Sequence, residues 1–359
     1  MDIWIGGHSA VELLRMARSG RWPRLHESNS RIVGHSSAGV GRTWREAVSE
    51  LGQYLDVFPS HPLMVRVADG AHRIRSSVVD CKVNASVLPS GSFLIAELDA
   101  FGTSVHIDAP EHQLLSLARH LSPLVSMGRM DRPVALAVLA EFGMELCGTY
   151  ARNPRNPYGE DCHYGTNPVT DPNRLSLWLN GVSHVKGARL AKASVRHIRA
   201  SSASPVESTH AILLGFPVRW GGIALGDFQL NAQLVMSRKD MSMLGRTSFR
   251  PDLYFPRYRL AIEHYGAEWH GGIDRMAEDA TRAQCYAALG IRVYPTTARD
   301  CGTAVAYESF LRKLAEGLGH DLGERHRRMI LGRLEDFDGS RMRAAIIDEL
   351  AHGASVRSY

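Results

Sequence analysis

The chain has 359 residues, 44% hydrophobic and 22% charged, a composition that suits a soluble two-domain protein and excludes fibrous or low-complexity classes. Its formal net charge of +5 leans towards polyanionic partners without excluding small substrates. Five cysteines without a CxxC pair argue against a zinc ribbon and a disulfide framework and favour a reducing cytoplasm; no signal peptide and no membrane-spanning run is expected.

In chain order, Ser9-Ala-Val-Glu12 reads as a capping box opening a first helix, and Thr43-Trp-Arg-Glu46 as a second. From 63 to 108 short β-branched or alternating runs (PLMVRVAD, RSSVVDCKVNA, GSFLIAELDA, TSVHIDA) predict a small antiparallel sheet. Two apolar-periodic helices follow, PEHQLLSLARHL and RPVALAVLAEFGMELC. Residues 152–173, rich in Pro, Asn and Gly, read as a loop at a domain boundary. The expected layout is an α+β domain over 1–152, a linker over 153–183, a second domain over 184–310 and a helical tail over 311–359.

Between 184 and 200 lie Lys186, Arg189, Lys192, Arg196 and Arg199 with no acid. On one helix the last four would share a broad face, either simply solvated or contacting nucleic-acid phosphates. Then come a short helix (SASPVESTHAILLG), a strand (DFQLNAQLVMS), the stretch RPDLYFPRYRLAIEHYGAEWH, a helix (DRMAEDATRAQCYAALG) and a strand (IRVYPTT). The order is helix, three strands, helix, strand.

In RPDLYFPRYRLAIEHY, an antiparallel hairpin turning between Arg257 and Tyr258 sets Asp252 opposite Glu263. Period-two alternation then puts Arg250, Asp252, Tyr254, Ala261, Glu263 and Tyr265 on a polar face, and Phe249, Pro251, Leu253, Phe255, Leu260, Ile262 and His264 on a core face. Two facing carboxylates need a compensating cation, a shared proton or a metal ion, and a hard divalent cation accepts such oxygen ligands. The plain alternative is a surface hairpin whose acids pair with Arg250 or Arg259.

A strand ending in PD followed by a strand ending in (D/E)-x-K is the signature of the PD-(D/E)XK nuclease superfamily, whose core has this element order. Over about 205–300 the chain resembles its very-short-patch-repair-like endonuclease branch, through RPD, the apolar strand LAIEHY, G-A-E-W-H and the continuation with Asp279, Arg282 and GIRVYPTTARD. SPVEST is similar to the helix preceding this core in bacterial endonuclease-like proteins. HSAVELLR and ELCGTY resemble pieces of long actinobacterial proteins with such a C-terminal domain, and the N-terminal half distantly resembles abortive-infection antitoxins.

The resemblance implies Asp252 and Glu263 as ligands of Mg²⁺ or Mn²⁺, and Glu207 as the acid often supplied by the preceding helix. Glu207 reads equally as a first-turn glutamate favouring the helix dipole. His270 is implied as general base or leaving-group acid, against a purely structural histidine, and Arg282 as a phosphate contact; Trp269 reads as core ahead of base-stacking. Tyr265 stands where the superfamily has lysine, a departure that leaves a degenerate, inactive domain open. The expected function is metal-dependent hydrolysis of phosphodiester bonds in nucleic acid, DNA ahead of RNA. The alternatives are a non-catalytic DNA-binding regulator and a toxin–antitoxin or phage-defence component with a protein partner.

Overall fold

The computed structural model describes residues 2–21, 24–28, 62–73, 77, 79–84, 88–96, 104–159, 161–245, 247–265 and 273–354. The chain is an α+β protein of two compact units, residues 1–196 with 353–359 and residues 197–352. No helix among the described residues is long and apolar enough to cross a membrane.

The first unit holds strands β1 (Asp2–Ile5), β2 (Leu25–Ser28), β3 (Leu63–Val67), β4 (Val79–Val83), β5 (Phe93–Ala96) and β6 (Ser104–Asp108) in one sheet of order β2-β5-β6-β1-β3-β4. This sheet is larger than expected, and it is mixed: β1 runs parallel to β6 and β3 parallel to β4. The N-terminal residues supply the central strand because Ile3 and Ile5, buried on one face, and Trp4, stacked on His106, suit a sheet covered on both sides. Helix α1 (Gly7–Arg18) starts earlier than the proposed capping box, and the Ser9 hydroxyl accepts the Met64 N–H at 3.0 Å instead of capping it. The box at Thr43 and the helix after it lie outside the described residues.

Helices α2 (Pro110–Ser126) and α3 (Arg132–Leu146) pack together, both opening on proline near the first position, where the missing N–H costs nothing. Buried ion pairs lock this unit: Arg66 forks onto Asp108 at 2.6 and 2.5 Å, and Arg15 onto Glu145 at 2.7 and 2.7 Å.

The stretch expected as a linker belongs to this unit. Strand β7 (Tyr150–Arg152) pairs with β8 (Cys162–Tyr164), and the Arg152 guanidinium binds Glu141 and the Pro157 carbonyl. Helix α4 (Pro172–Gly181) is capped by the Asp171 carboxylate, and α5 (Ala188–Val195) packs on α2, α3 and α4. The Pro/Asn/Gly content thus marks a pinned excursion, not a boundary.

The second unit opens with α6 (Pro205–Gly215), capped by the Ser204 hydroxyl, which accepts the Glu207 N–H at 3.1 Å. A four-stranded sheet of order β14-β13-β12-β9 follows, from β9 (Gln229–Leu230), β12 (Leu253–Phe255), β13 (Leu260–Tyr265) and β14 (Arg292–Thr297). Between β9 and β12 lie a ribbon of β10 (Leu234–Val235) with β11 (Ser248–Phe249) and the short α7 (Arg238–Leu244). Helix α8 (Ile273–Ala288) links β13 to its parallel neighbour β14. The expected order of helix, three strands, helix, strand is present.

The residues expected as a separate tail, 311–352, pack within this unit. Helices α9 (Ala298–Cys301), α10 (Ala304–Leu318), α11 (Glu324–Glu335) and α12 (Phe337–His352) adjoin one another, with Arg343 fully buried on Glu308 at 2.7 Å.

Candidate active site

The hairpin register is the expected one. Leu253 pairs with Ile262, Tyr254 with Ala261 and Phe255 with Leu260, around a 3₁₀ turn at Pro256–Tyr258 closed by Arg259 in the left-handed region at φ 45°. One step beyond Leu253 the ladder stops, and the Asp252 side chain takes over: its Oδ2 accepts the His264 N–H at 2.7 Å. Pro251 has no N–H to offer a ladder there. The break also explains a failure of simple alternation. Phe249, expected on the core face, packs edge-on against Tyr286 in the same cluster as Ala261, Cys285 and Ile291. The face expected to be purely polar is therefore core under α8, and polar only at its Asp252–Glu263 end.

Three acids from separate segments come near one another there, close enough for the charge of Asp252 to raise both Glu207 and Glu263. Their oxygens do not all lie within 4.8 Å of one another. Glu207, in the first turn of α6, is buried; its Oε2 accepts the Ala203 N–H at 2.9 Å and Asn231 Nδ2 at 2.6 Å, and its Oε1 accepts the Ser204 hydroxyl at 3.0 Å. Asn231 interrupts the strand expected over 227–237. In the left-handed region at φ 50°, which asparagine tolerates, it donates its backbone N–H to the Asp252 carbonyl at 3.0 Å and its side chain to Glu207. Glu263, on β13, is 4% exposed and accepts Arg282 Nη2 at 2.8 and 2.7 Å and the Tyr286 hydroxyl.

The electrostatics follow from burial and mutual repulsion. Burial, then the charge of Asp252, pushes Glu207 up to about 7 and Glu263 up to about 8, and burial raises Asp252 as well. At Glu207 these effects outweigh the helix dipole, whose contribution is about 0.3–1 kcal/mol. Burial opposes the charge on Arg282, but the Glu263 carboxylate more than offsets it and holds the guanidinium above its ordinary range. Arg282 is the cation paired within the cluster. Among the described residues, full ionisation of the three carboxylates against this one guanidinium would leave two negative charges over, the charge of one divalent cation. The donors are all oxygens, the set a hard ion such as Mg²⁺ or Mn²⁺ accepts.

Other expected site residues are distributed differently. Tyr265, at the end of β13, pairs across to Thr297 and lies close enough to Arg282 to favour its charge. Trp269 and His270 lie outside the described residues. The basic stretch does not form one helical face. Helix α5 ends at Val195, so Lys186 precedes it and Arg199 follows it. Lys186, Arg189 and Arg196 are exposed in the first unit and Lys192 is half-buried. Arg199, in the second unit, is half-buried over the Phe228 ring at 5.3 Å. Positive-φ Ser201 marks the turn after it.

Behind β13 is a second polar cluster. His264, assigned to the core face, is half-buried there and reaches Thr296 Oγ1 at 3.2 Å through Nδ1. His210 of α6, fully buried, bonds Tyr307 OH at 2.8 Å through Nδ1 and Thr296 Oγ1 at 3.1 Å through Nε2; Cys301 Sγ lies 3.5 Å from Nε2. Burial lowers both imidazoles, His210 to about 3, and raises the Cys301 thiol to about 12.

Sequence reasoning missed Asn231, Tyr286 and the pairing of Arg282 with Glu263. An asparagine inside a strand-like run was a signal for the first; for the others, contacts 19 and 23 residues apart left none. No family model, no curated protein and no solved structure matches the chain.

Proposed function

We propose that residues 197–352 form a divalent-metal-dependent endonuclease domain that hydrolyses phosphodiester bonds, with nucleic acid, DNA ahead of RNA, as substrate. The observation that carries this reading is that Glu207, Asp252 and Glu263, from separate segments, are buried close enough to raise one another, with Arg282 as the cation paired with them among the described residues. Asp252 and Glu263 would hold Mg²⁺ or Mn²⁺, which supplies an activated water and neutralises charge on the phosphate. Glu207, raised by burial in the metal-free site, is placed to hold or release a proton beside them. Asn231 fixes Glu207 and ties its position to that of Asp252. Arg282 stands in for the lysine missing at Tyr265 by bringing a cation to the same carboxylate from α8.

One observation favours a second reading, a non-catalytic DNA-binding regulator or a toxin–antitoxin or phage-defence component. Arg282 and Tyr286 together take up both Glu263 oxygens, as a purely structural ion pair would. The test is purified full-length protein on mixed DNA and RNA with and without Mg²⁺ or Mn²⁺, beside Asp252→Ala. Metal-dependent cleavage lost in the variant is the expected result; equal cleavage by the variant sinks the assignment. Salt-sensitive DNA binding indifferent to Mg²⁺ and to Asp252, without cleavage, selects the second reading.

A further inference from the structure

We propose that His210, His264 and Cys301 form a second metal site, for a borderline-soft transition ion such as Zn²⁺, on the opposite side of β13 from the carboxylates. Each residue offers one ligand atom, and the three atoms lie within 4.8 Å of one another, the one such trio of His, Cys, Asp or Glu among the described residues. Cys301 Sγ and His210 Nε2 are 3.5 Å apart. The N–S edge of a tetrahedral zinc site, with bonds of about 2.05 and 2.3 Å, is about 3.5–3.6 Å. That pair is already at ligand spacing.

The surroundings fit as well. A ligating imidazole normally engages an oxygen through its other ring nitrogen, which fixes its orientation. His210 Nδ1 does so with the buried Tyr307 hydroxyl at 2.8 Å. His264 and Cys301 are half-buried, so an ion can enter from solvent, and water can complete the shell. Asp300 is otherwise engaged, its Oδ2 accepting the Thr297 N–H at 2.9 Å and hydroxyl at 2.7 Å in a capping box. On binding, the Cys301 thiol loses its proton to buffer and sulfur bonds the ion as thiolate. The donor set of two imidazoles and one thiolate is too soft for Mg²⁺, so the two sites differ in the ions they take.

The placement suggests a structural task. The ion would pin α6, β13 and α9 together, and the first two carry Glu207 and Glu263. The inference does not depend on nuclease chemistry. In the ion-free arrangement Thr296 Oγ1, 3.1 Å from His210 and 3.2 Å from His264, bridges the rings, so a hydrogen-bonded cluster without metal affinity is the competing account.

Full-length protein loaded with Zn²⁺ and dialysed should retain one equivalent by elemental analysis, and Co²⁺ loading should give a thiolate-to-cobalt charge-transfer band. Cys301→Ser, folded by circular dichroism, should lose both, while Tyr307→Phe weakens Zn²⁺ affinity by about 10–100-fold. Asp252→Ala should keep the ion, which separates failure of this site from failure of the nuclease reading. Equal Zn²⁺ uptake by Cys301→Ser and wild type would overturn the proposal. Should that variant not fold, the wild-type Co²⁺ spectrum decides: a thiolate band supports the site, and its absence overturns it.

Discussion

Asp252 Oδ2 accepts the backbone N–H of His264 at 2.7 Å, so the first acid of the hairpin is held by the strand that carries the second. The bond replaces a ladder hydrogen bond just before β12 begins and holds the carboxylate against β13. Burial raises both Glu207 and Glu263, and the charge of Asp252 raises them further.

Asp252→Asn keeps an acceptor for the His264 N–H but removes the charge that both glutamates feel. The variant is expected to be more stable than wild type at mildly alkaline pH by about 1 kcal/mol, or about 2–4 °C in Tm. It should also lose any rise in Tm on adding Mn²⁺. A thermal scan with and without Mn²⁺ checks both, and a lower Tm with the metal response intact would contradict the account.

Stability without metal is expected to fall as pH rises. Glu207 and Glu263 ionise near 4.5 in the unfolded chain and near 7 and 8 in the folded one, so across that interval the folded state holds more protons and loses stability with rising pH. His112 and His210, both lowered from 6.5 to about 3, act in the opposite sense: they weaken the fold as pH falls below 6.5. Above 6.5 these two glutamates act together with Glu12 of the first unit, which burial raises to about 7 and which adds to the same slope. Only the slope from Glu207 and Glu263 should respond to metal. Tm against pH from 6.5 to 8 should slope downwards, and Mg²⁺ or Mn²⁺ should flatten the slope; a flat metal-free profile refutes the buried-acid account.

How much of this was legible in the sequence depends on contact range. The hairpin register followed from a four-residue turn and period-two alternation, and it placed Leu253, Phe255, Leu260 and Ile262 correctly. Alternation failed at Phe249 because Pro251 and Asp252 interrupt the strand, which resets its parity. The α6 cap was local and readable in SPVEST. The ion pair from α8 to β13 was not, because Arg282 is one of several polar residues on its helix and only the packing angle selects it. The central position of β1 was equally hidden, since Ile3 and Ile5 gain their meaning from strands about 60 and 100 residues away.

Asn231 joins two of the acids, and Asn231→Gly separates its roles. Glycine keeps the φ of 50° and the backbone bond to the Asp252 carbonyl, while the side-chain bonds to Glu207 and to the Ser201 carbonyl are lost. The expected cost is about 1–3 kcal/mol of stability, that of two hydrogen bonds, with a larger fractional loss of metal-dependent cleavage. Unchanged cleavage at reduced stability would show that Glu207 needs no positioning for the chemistry.

The pairing of Arg282 with Glu263 separates a structural ion pair from a site. Arg282→Met leaves Glu263 buried beside Asp252 without its guanidinium, a break that costs about 3–5 kcal/mol for a fully buried pair. The Arg282 side chain is 31% exposed, so solvent screening reduces the expected loss to about 1–3 kcal/mol. Adding Glu263→Leu should recover part of that loss, because the stranded carboxylate is then gone although the buried Tyr286 hydroxyl loses its acceptor. If the pair serves only the fold, the double variant should bind Mn²⁺ as wild type does. If Glu263 is a ligand, the double variant should be stable and metal-blind, and calorimetric titration of Mn²⁺ into both proteins distinguishes the two.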